Sequence, residues 1–358
     1  MEIALQFKDE ERAHLMLSRA ESGLQELLDA DPLDLETISR LREISALLER
    51  EEAVAACLGA IAVIGGAESL DWPGTDFPAP DADPGRLRSL LLHRDEHDFP
   101  ASVVARMAGP VTGEVFAAAE GFPAVPRGAF VERPAADPLA AWIVRWGAAI
   151  GVERIDIARH GGDPRGSVTL PGVAPTVVIN PDLTLPLDAR SRFFLARHVW
   201  RAAAGLGAFH EGDAATPLRW VLALATACLG DGAALPLPTD RELVDRARKA
   251  LPRKIRKALT EPCRDLLAVS PQRLRLWTAA TSYSADRFGL LVAGDLGGAV
   301  NWIVEESAGP NGLRRLAEQP ADTLTKVPRG RQLIRFVLSP DYLAARSVAG
   351  SVQGGGSR

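Results

Sequence analysis

Tyrosine is nearly absent from this chain, with 2 among 358 residues, and there are only 3 cysteines and 3 methionines. Cys57, Cys228 and Cys263 are too few and too scattered for a disulfide framework, and no Cys-x-x-Cys pair offers a zinc or redox site. They read as small buried hydrophobes. Long apolar runs are missing too: stretches such as Val221 to Leu229 fall far short of the roughly 18–20 residues that span a bilayer. The N-terminal stretch is acidic and lacks an apolar core, so no signal peptide is expected and the cytoplasm is the expected location. There is no excess of basic residues. Lys+Arg total 41 against 46 Asp+Glu, a net charge of −5, which disfavours a dedicated nucleic-acid binder. The phosphate loop G-x-x-x-x-G-K-[ST] and the nucleophile elbow G-x-S-x-G do not occur. Gly294-Asp-Leu-Gly-Gly follows no strand and reads as a helix–helix turn rather than a dinucleotide fingerprint.

What is present is an ordinary globular balance, 47% hydrophobic and 24% charged, which excludes disorder along the whole chain. Residues 8–65 show helical periodicity. Leu15, Leu17, Ala20, Leu24, Leu27 and Leu28 mark a first helix that ends at Asp31-Pro32. Leu35, Ile38, Leu41, Ile44 and Leu48 stripe a second, and a third runs from about Glu51 to Ile64 before Gly65-Gly66. The last two form a helical hairpin near the length of the 34-residue tetratricopeptide (TPR) unit. A single unit cannot bury its own core.

Residues 67–85 are a Pro-rich linker. Leu90 to Leu92 read like a strand. Gly109-Pro110 is expected to separate a helix over 101–108 from one over 111–120. A helix over 138–149 precedes three short strands around Ile155–Ile157, Val168–Leu170 and Val177–Ile179. Helices follow over 188–204, 218–229, 240–260 (broken at Pro252), 271–280, 283–293 and 296–307. The Gly/Ser-rich tail 350–358 is expected to be disordered. The expected fold class is α+β, mostly helical. A TPR-like hairpin (1–66) precedes an α+β domain (86–349) with a small sheet. The seven tryptophans are expected in the core rather than in ligand stacking.

The stretch Arg190 to Gly205, which follows a strand and the Asn180-Pro181 turn, resembles the active-site helix of H-E-x-x-H zinc peptidases. Thr278-Ala-Ala-Thr-Ser-Tyr-Ser-Ala-Asp286 resembles the second signature of their gluzincin branch. The resemblance implies a zincin-like domain, with the strand before the helix as the edge along which substrate lies. By position, His198 matches the first zinc histidine, Val199 the catalytic Glu, Ala202 the second histidine and Ser282 the ligand Glu. His198 and Asp286 alone retain the pattern. Three protein ligands and an activated water make a catalytic zinc site, so the resemblance implies a scaffold whose chemistry is deleted. The layout also resembles TPR proteins of the myxobacterial type, on features such as Leu291 to Ala299 and Leu333 to Tyr342.

Two further constellations stand beside it. His93-Arg-Asp-Glu96-His97 fits the inverted pattern H-x-x-E-H, which needs a helix that Pro100 discourages. Residues 240–260 carry eight bases against three acids over an apolar stripe. Arg246, Lys249, Arg253, Lys254 and Lys257 are its candidates for anion contact. The bland reading, a solvated helix face, is favoured because aromatic residues for base stacking are missing.

The expected function is therefore a non-catalytic protein-interaction or scaffold role, with a protein partner or self-association. No cofactor and no small-molecule substrate is expected. The alternatives are a metal-dependent hydrolase with ligands from His93, Glu96, His97 and His198, or an electrostatic binder of nucleic acid or membrane, both disfavoured as partners.

Overall fold

Aspartates that precede helices set much of the architecture. The computed structural model describes residues 2–67, 82–119, 121, 125–161, 167–170, 172, 174–207 and 215–350. Most of the expected linker, Trp72 and the tail beyond Gly350 lie outside the described residues. Among the described residues there are fifteen α-helices and one three-stranded sheet, the α+β, mostly helical class.

The chain opens with α1 (Glu2–Ala30), α2 (Leu35–Leu47) and α3 (Glu51–Gly65). Asp34 caps α2 by accepting from Glu36 N at 3.1 Å. Gly66 closes α3 in the left-handed region at φ 75°. Then come α4 (Pro84–Leu91), α5 (Pro100–Ala119) and α6 (Pro138–Ala149), the last capped by Asp137 with Pro138 in its first turn.

Next lie β1 (Asp156–Arg159), β2 (Ser167–Leu170) and β3 (Thr176–Ile179), in the order β1-β3-β2. The β1–β3 pair is parallel and the β2–β3 pair antiparallel. The apolar run of β3 is buried at all four positions, as a central strand requires. The strand that the peptidase resemblance places at the sheet edge is thus the middle one, because both of its ladders are filled. The outer edge of β1 is closed by Val131 N donating to Ile157 O at 2.8 Å.

After the sheet come α7 (Ala189–Ala203), α8 (Ala215–Leu229), α9 (Arg241–Ala250), α10 (Arg253–Asp265) and α11 (Pro271–Ala293). The chain continues with α12 (Leu296–Glu318), α13 (Pro320–Lys326), α14 (Pro328–Val337) and α15 (Pro340–Val348). No helix is long and apolar enough to cross a membrane among the described residues.

Two compact units form, one from Met1–Asp76 with Ala293–Arg358 and the other from Phe77–Val292. The division differs from the linear boundaries at 66 and 86, since the last four helices pack with the first three. In that unit α3 lies against α2, α12, α13 and α14, and its buried residues include the small Ala53, Ala56, Gly59 and Ala60. Ile38 and Leu41 of the α2 stripe are buried, whereas Leu35 is 40% exposed.

Three local expectations change. Leu90 and Leu91 end a helix rather than form a strand; Leu91 is buried with Leu87 on one face of α4, and Leu90 is half-buried. Pro110 sits inside a continuous α5. Gly109 explains the site, because a Cβ there would meet Gly205 O at 2.6 Å, so a tertiary contact overrides the breaker signal. The two helices expected over 271–293 are one, α11, with Thr281 Oγ1 donating to Thr278 O at 2.8 Å inside it.

Candidate functional site

Helix α7 is the element to which the sequence motifs point. Asp188 caps it by accepting from Ser191 N at 2.6 Å. Residues Leu195 to Arg201 are all buried, so the helix is enclosed rather than laid on a surface.

His198 lies on a face turned toward the sheet. Thr169 Oγ1 of β2 donates to His198 O at 3.1 Å, and the same oxygen is 3.2 Å from His198 Nδ1. With the single hydroxyl proton given to the carbonyl, the ring nitrogen is the donor, which selects the Nδ1–H tautomer. Phe194 packs edge-on against the ring at 4.6 Å between centroids. His198 thereby ties α7 to β2.

Asp286 of α11 is nearly inaccessible, and its Oδ1 lies 2.8 Å from Nε of the equally buried Arg197. Of the two remnants of the peptidase pattern, Asp286 thus lies on the α7–α11 packing with Arg197 as its partner, whereas His198 faces the sheet. Gly289 makes this crossing close: a Cβ there would sit 2.9 Å from Arg197 Cγ and 2.8 Å from Phe193 Cδ2. Sequence reasoning passed over Arg197. Its signal was an arginine inside an otherwise apolar helix core, which demands a carboxylate. Of the lost positions, Val199 is fully buried, while Ala202 and Ser282 are half-buried.

The inverted pattern falls in the turn between α4 and α5, not on a helix. His93 and Glu96 are buried, while the His97 side chain is 53% exposed, with Nδ1 2.9 Å from Asp98 Oδ2. Among the described residues no group of three or more His, Cys, Asp and Glu is placed to share a metal ion. His93 N donates to Ser284 Oγ at 2.8 Å. Burial pushes the Glu96 carboxyl up to about 7, against the pull of Ser284 and of the Arg88, Arg106 and Arg287 charges.

Arg88 connects this cluster to the ends of two helices. Its guanidinium donates to Ile150 O at 3.4 Å and to Ala203 O at 3.2 Å, and it lies 5.6 Å from the Trp200 ring. A cation at two helix C-termini complements both dipoles.

Beside these ends opens a cleft of about 520 Å³. Ala202 and Ala203 form one wall with Gly205 and Gly207, and Gly109-Pro110 of α5 adjoins them. Gly151 to Arg154, and Gly172, Ala174 and Pro175, also line it. Gly205 has φ 74°. Gly207 leaves room for Thr169, whose Cγ2 would stand 2.8 Å from an added Cβ. Glu153 and Arg154 are the only ionisable side chains lining the cleft among the described residues, and Arg154 is engaged by Asp156 at 3.0 and 3.3 Å. No nucleophile with an adjacent base stands in the described lining.

The basic stretch is divided between α9 and α10. Arg246 is engaged by Glu242 at 2.5 Å, while Lys249, Arg253, Lys254 and Lys257 are exposed. Of the tryptophans, 146, 200, 220, 277 and 302 are buried and Trp142 is half-buried. No family model, no curated protein and no solved structure matches the chain.

Proposed function

We propose that this protein is a non-catalytic interaction module that takes a short extended peptide segment of a protein partner in the cleft beside Ala202. The observation that carries the reading is the lining: glycines, alanine methyl groups and proline rings, with Glu153 and Arg154 the only ionisable side chains and no catalytic pair among the described residues. A volume of about 520 Å³ falls within the range of ligand pockets. The hairpin is a weaker candidate, since the inner helix α3 lies against the chain's own α12, α13 and α14. In this reading α7 keeps the place of a peptidase-like helix beside a cleft, while His198 and Arg197 serve its packing. A cofactor has no part in it.

The test uses the full chain as bait for a displayed library of random peptides, with affinities then measured by fluorescence polarisation. Ala202→Trp fills the cleft and should weaken the selected peptides at least tenfold while leaving the thermal melt intact. Binding unchanged by that substitution, or an absence of selected peptides, overturns the reading. Chelator-sensitive cleavage of the peptides would instead favour the hydrolase.

A further inference from the structure

Helix α1 carries two apolar faces. On one, Leu28 is buried and Leu17 and Leu24 are half-buried, with Glu21 buried among them and ion-paired to Arg50. The helix packs against α2. The other face is open. Ala13, Met16, Ala20, Gly23 and Leu27 are all exposed, Met16 at 70% and Leu27 at 58%. Their spacing of three, four, three and four residues is that of the two inward positions of a coiled-coil heptad, so they lie on one stripe. The next positions of the same period towards the N-terminus, Asp9 and Gln6, are polar and end it. A Cβ added at Gly23 would meet nothing within 4 Å, so the stripe has room for a helix to approach. Arg19 and Glu26 flank it on the side away from Leu17 and Leu24. Both are exposed, and neither has an ion-pair partner among the described residues.

We propose that this open face of α1 is a dimer interface that pairs antiparallel with the same face of a second copy of the chain. Size and charge both select that occupant. In an antiparallel pair, a residue at one inward position packs opposite a residue at the other. Setting Ala20 against Gly23 of the second copy brings Met16 against Leu27 of the second copy, and the two-fold axis repeats both contacts. Large side chains then meet at both ends of the seam, and small ones meet between them. The same register places Arg19 beside Glu26 of the second copy, twice over. On the other flank it places Leu17 beside Leu24 of the second copy. A parallel pair would set Met16 on Met16 and Leu27 on Leu27, and would turn Arg19 towards Leu24, so neither the sizes nor the charges would be matched. The stretch from Met16 to Leu27 spans only about 17 Å at the helical rise per residue. So short a seam makes a small interface, and the dimer is one that dissociates on dilution.

Sedimentation equilibrium of the full chain over a concentration series should show monomer passing to dimer. Met16→Lys and Leu27→Lys should each raise the dissociation constant at least tenfold. Both side chains are exposed, so the thermal melt of the dilute protein should not change. Arg19→Glu and Glu26→Arg should each weaken the dimer, because each sets like charges face to face across the seam. An equal mixture of these two variants should dimerise again as a heterodimer, since both charge pairs re-form between the unlike chains. A chain that stays monomeric at every concentration would overturn the proposal, as would a dimer indifferent to Met16→Lys. A mixture of the two charge variants that dimerises no better than either alone would overturn it as well.

Discussion

Arg197 Nε and Asp286 Oδ1 stand 2.8 Å apart, with both side chains 1% exposed, and they hold α7 to α11 where the chain shows its peptidase-like remnants. Charges so placed are costly to desolvate, so the pair is worth little against an apolar pair but much against a half-pair. Arg197→Met alone should destabilise the protein by about 3–5 kcal/mol, since it strands a buried carboxylate. Arg197→Met with Asp286→Leu should recover most of that loss. Urea titration followed by far-UV circular dichroism measures both. A double variant no more stable than the single one would show that the pair has a further role than holding the two helices.

Glu96 gives a pH signature of defined sign. Burial raises its carboxyl from 4.5 to about 7 in the fold, so the native state binds more protons than the unfolded state between those values. Its contribution is therefore fully favourable below about pH 4.5 and is lost as pH rises through about 7. At pH 8 the buried carboxylate costs about 3 kcal/mol by the linkage of one pKa unit to 1.36 kcal/mol. Glu96→Gln keeps the side chain's shape and removes the charge. The variant should match wild type at pH 4 and exceed it by a few kcal/mol at pH 8, as measured by denaturant titration at each pH. A constant difference between the two proteins across that range would refute this assignment.

Glycines at the crossing of α5 and α7 supply a third expectation. Gly205 has φ 74°, and a Cβ there would crowd the backbone of Ala105 and Arg106, the Arg106 Cα at 3.0 Å. Gly230 has φ 96° and nothing within 4 Å of such a Cβ. Gly230→Ala carries only the backbone strain, about 1 kcal/mol, whereas Gly205→Ala adds a steric clash that neither helix can relieve without moving. The melting temperature should fall several degrees further for Gly205→Ala, and peptide binding at the adjacent cleft should weaken with it. Equal melts for the two variants would place the crossing elsewhere.

Elements with strong punctuation are legible in the sequence. The helix over 138–149 has an Asp-Pro start, and the three strands are short β-branched runs between turns. Pairings that join distant segments are not. Nothing near Ala53 or Gly59 says which helices will cover a small-residue face, so the packing of α12, α13 and α14 on α3 was hidden. The same holds for Gly109 against Gly205. Of the site, His198, Asp286 and Ala202 were singled out, but their neighbours Arg197, Thr169 and Arg88 were not. Each of those neighbours owes its role to a partner far away in sequence.

Metal content separates the binding reading from the hydrolase reading. Val199, Ala202 and Ser282 lack the donors of a gluzincin site, and in the inverted pattern His93 is buried while His97 faces solvent. Elemental analysis of gently purified protein should therefore find far less than one zinc per chain. His198→Ala should lower stability by about 1–3 kcal/mol, because Thr169 Oγ1 keeps only its bond to the backbone carbonyl and the buried ring's contacts with Thr169 and Phe194 are lost. It should leave both metal content and peptide binding unchanged. Near-stoichiometric zinc that disappears in His198→Ala would mean that His198 is a ligand in solution, and the hydrolase would then be the leading reading.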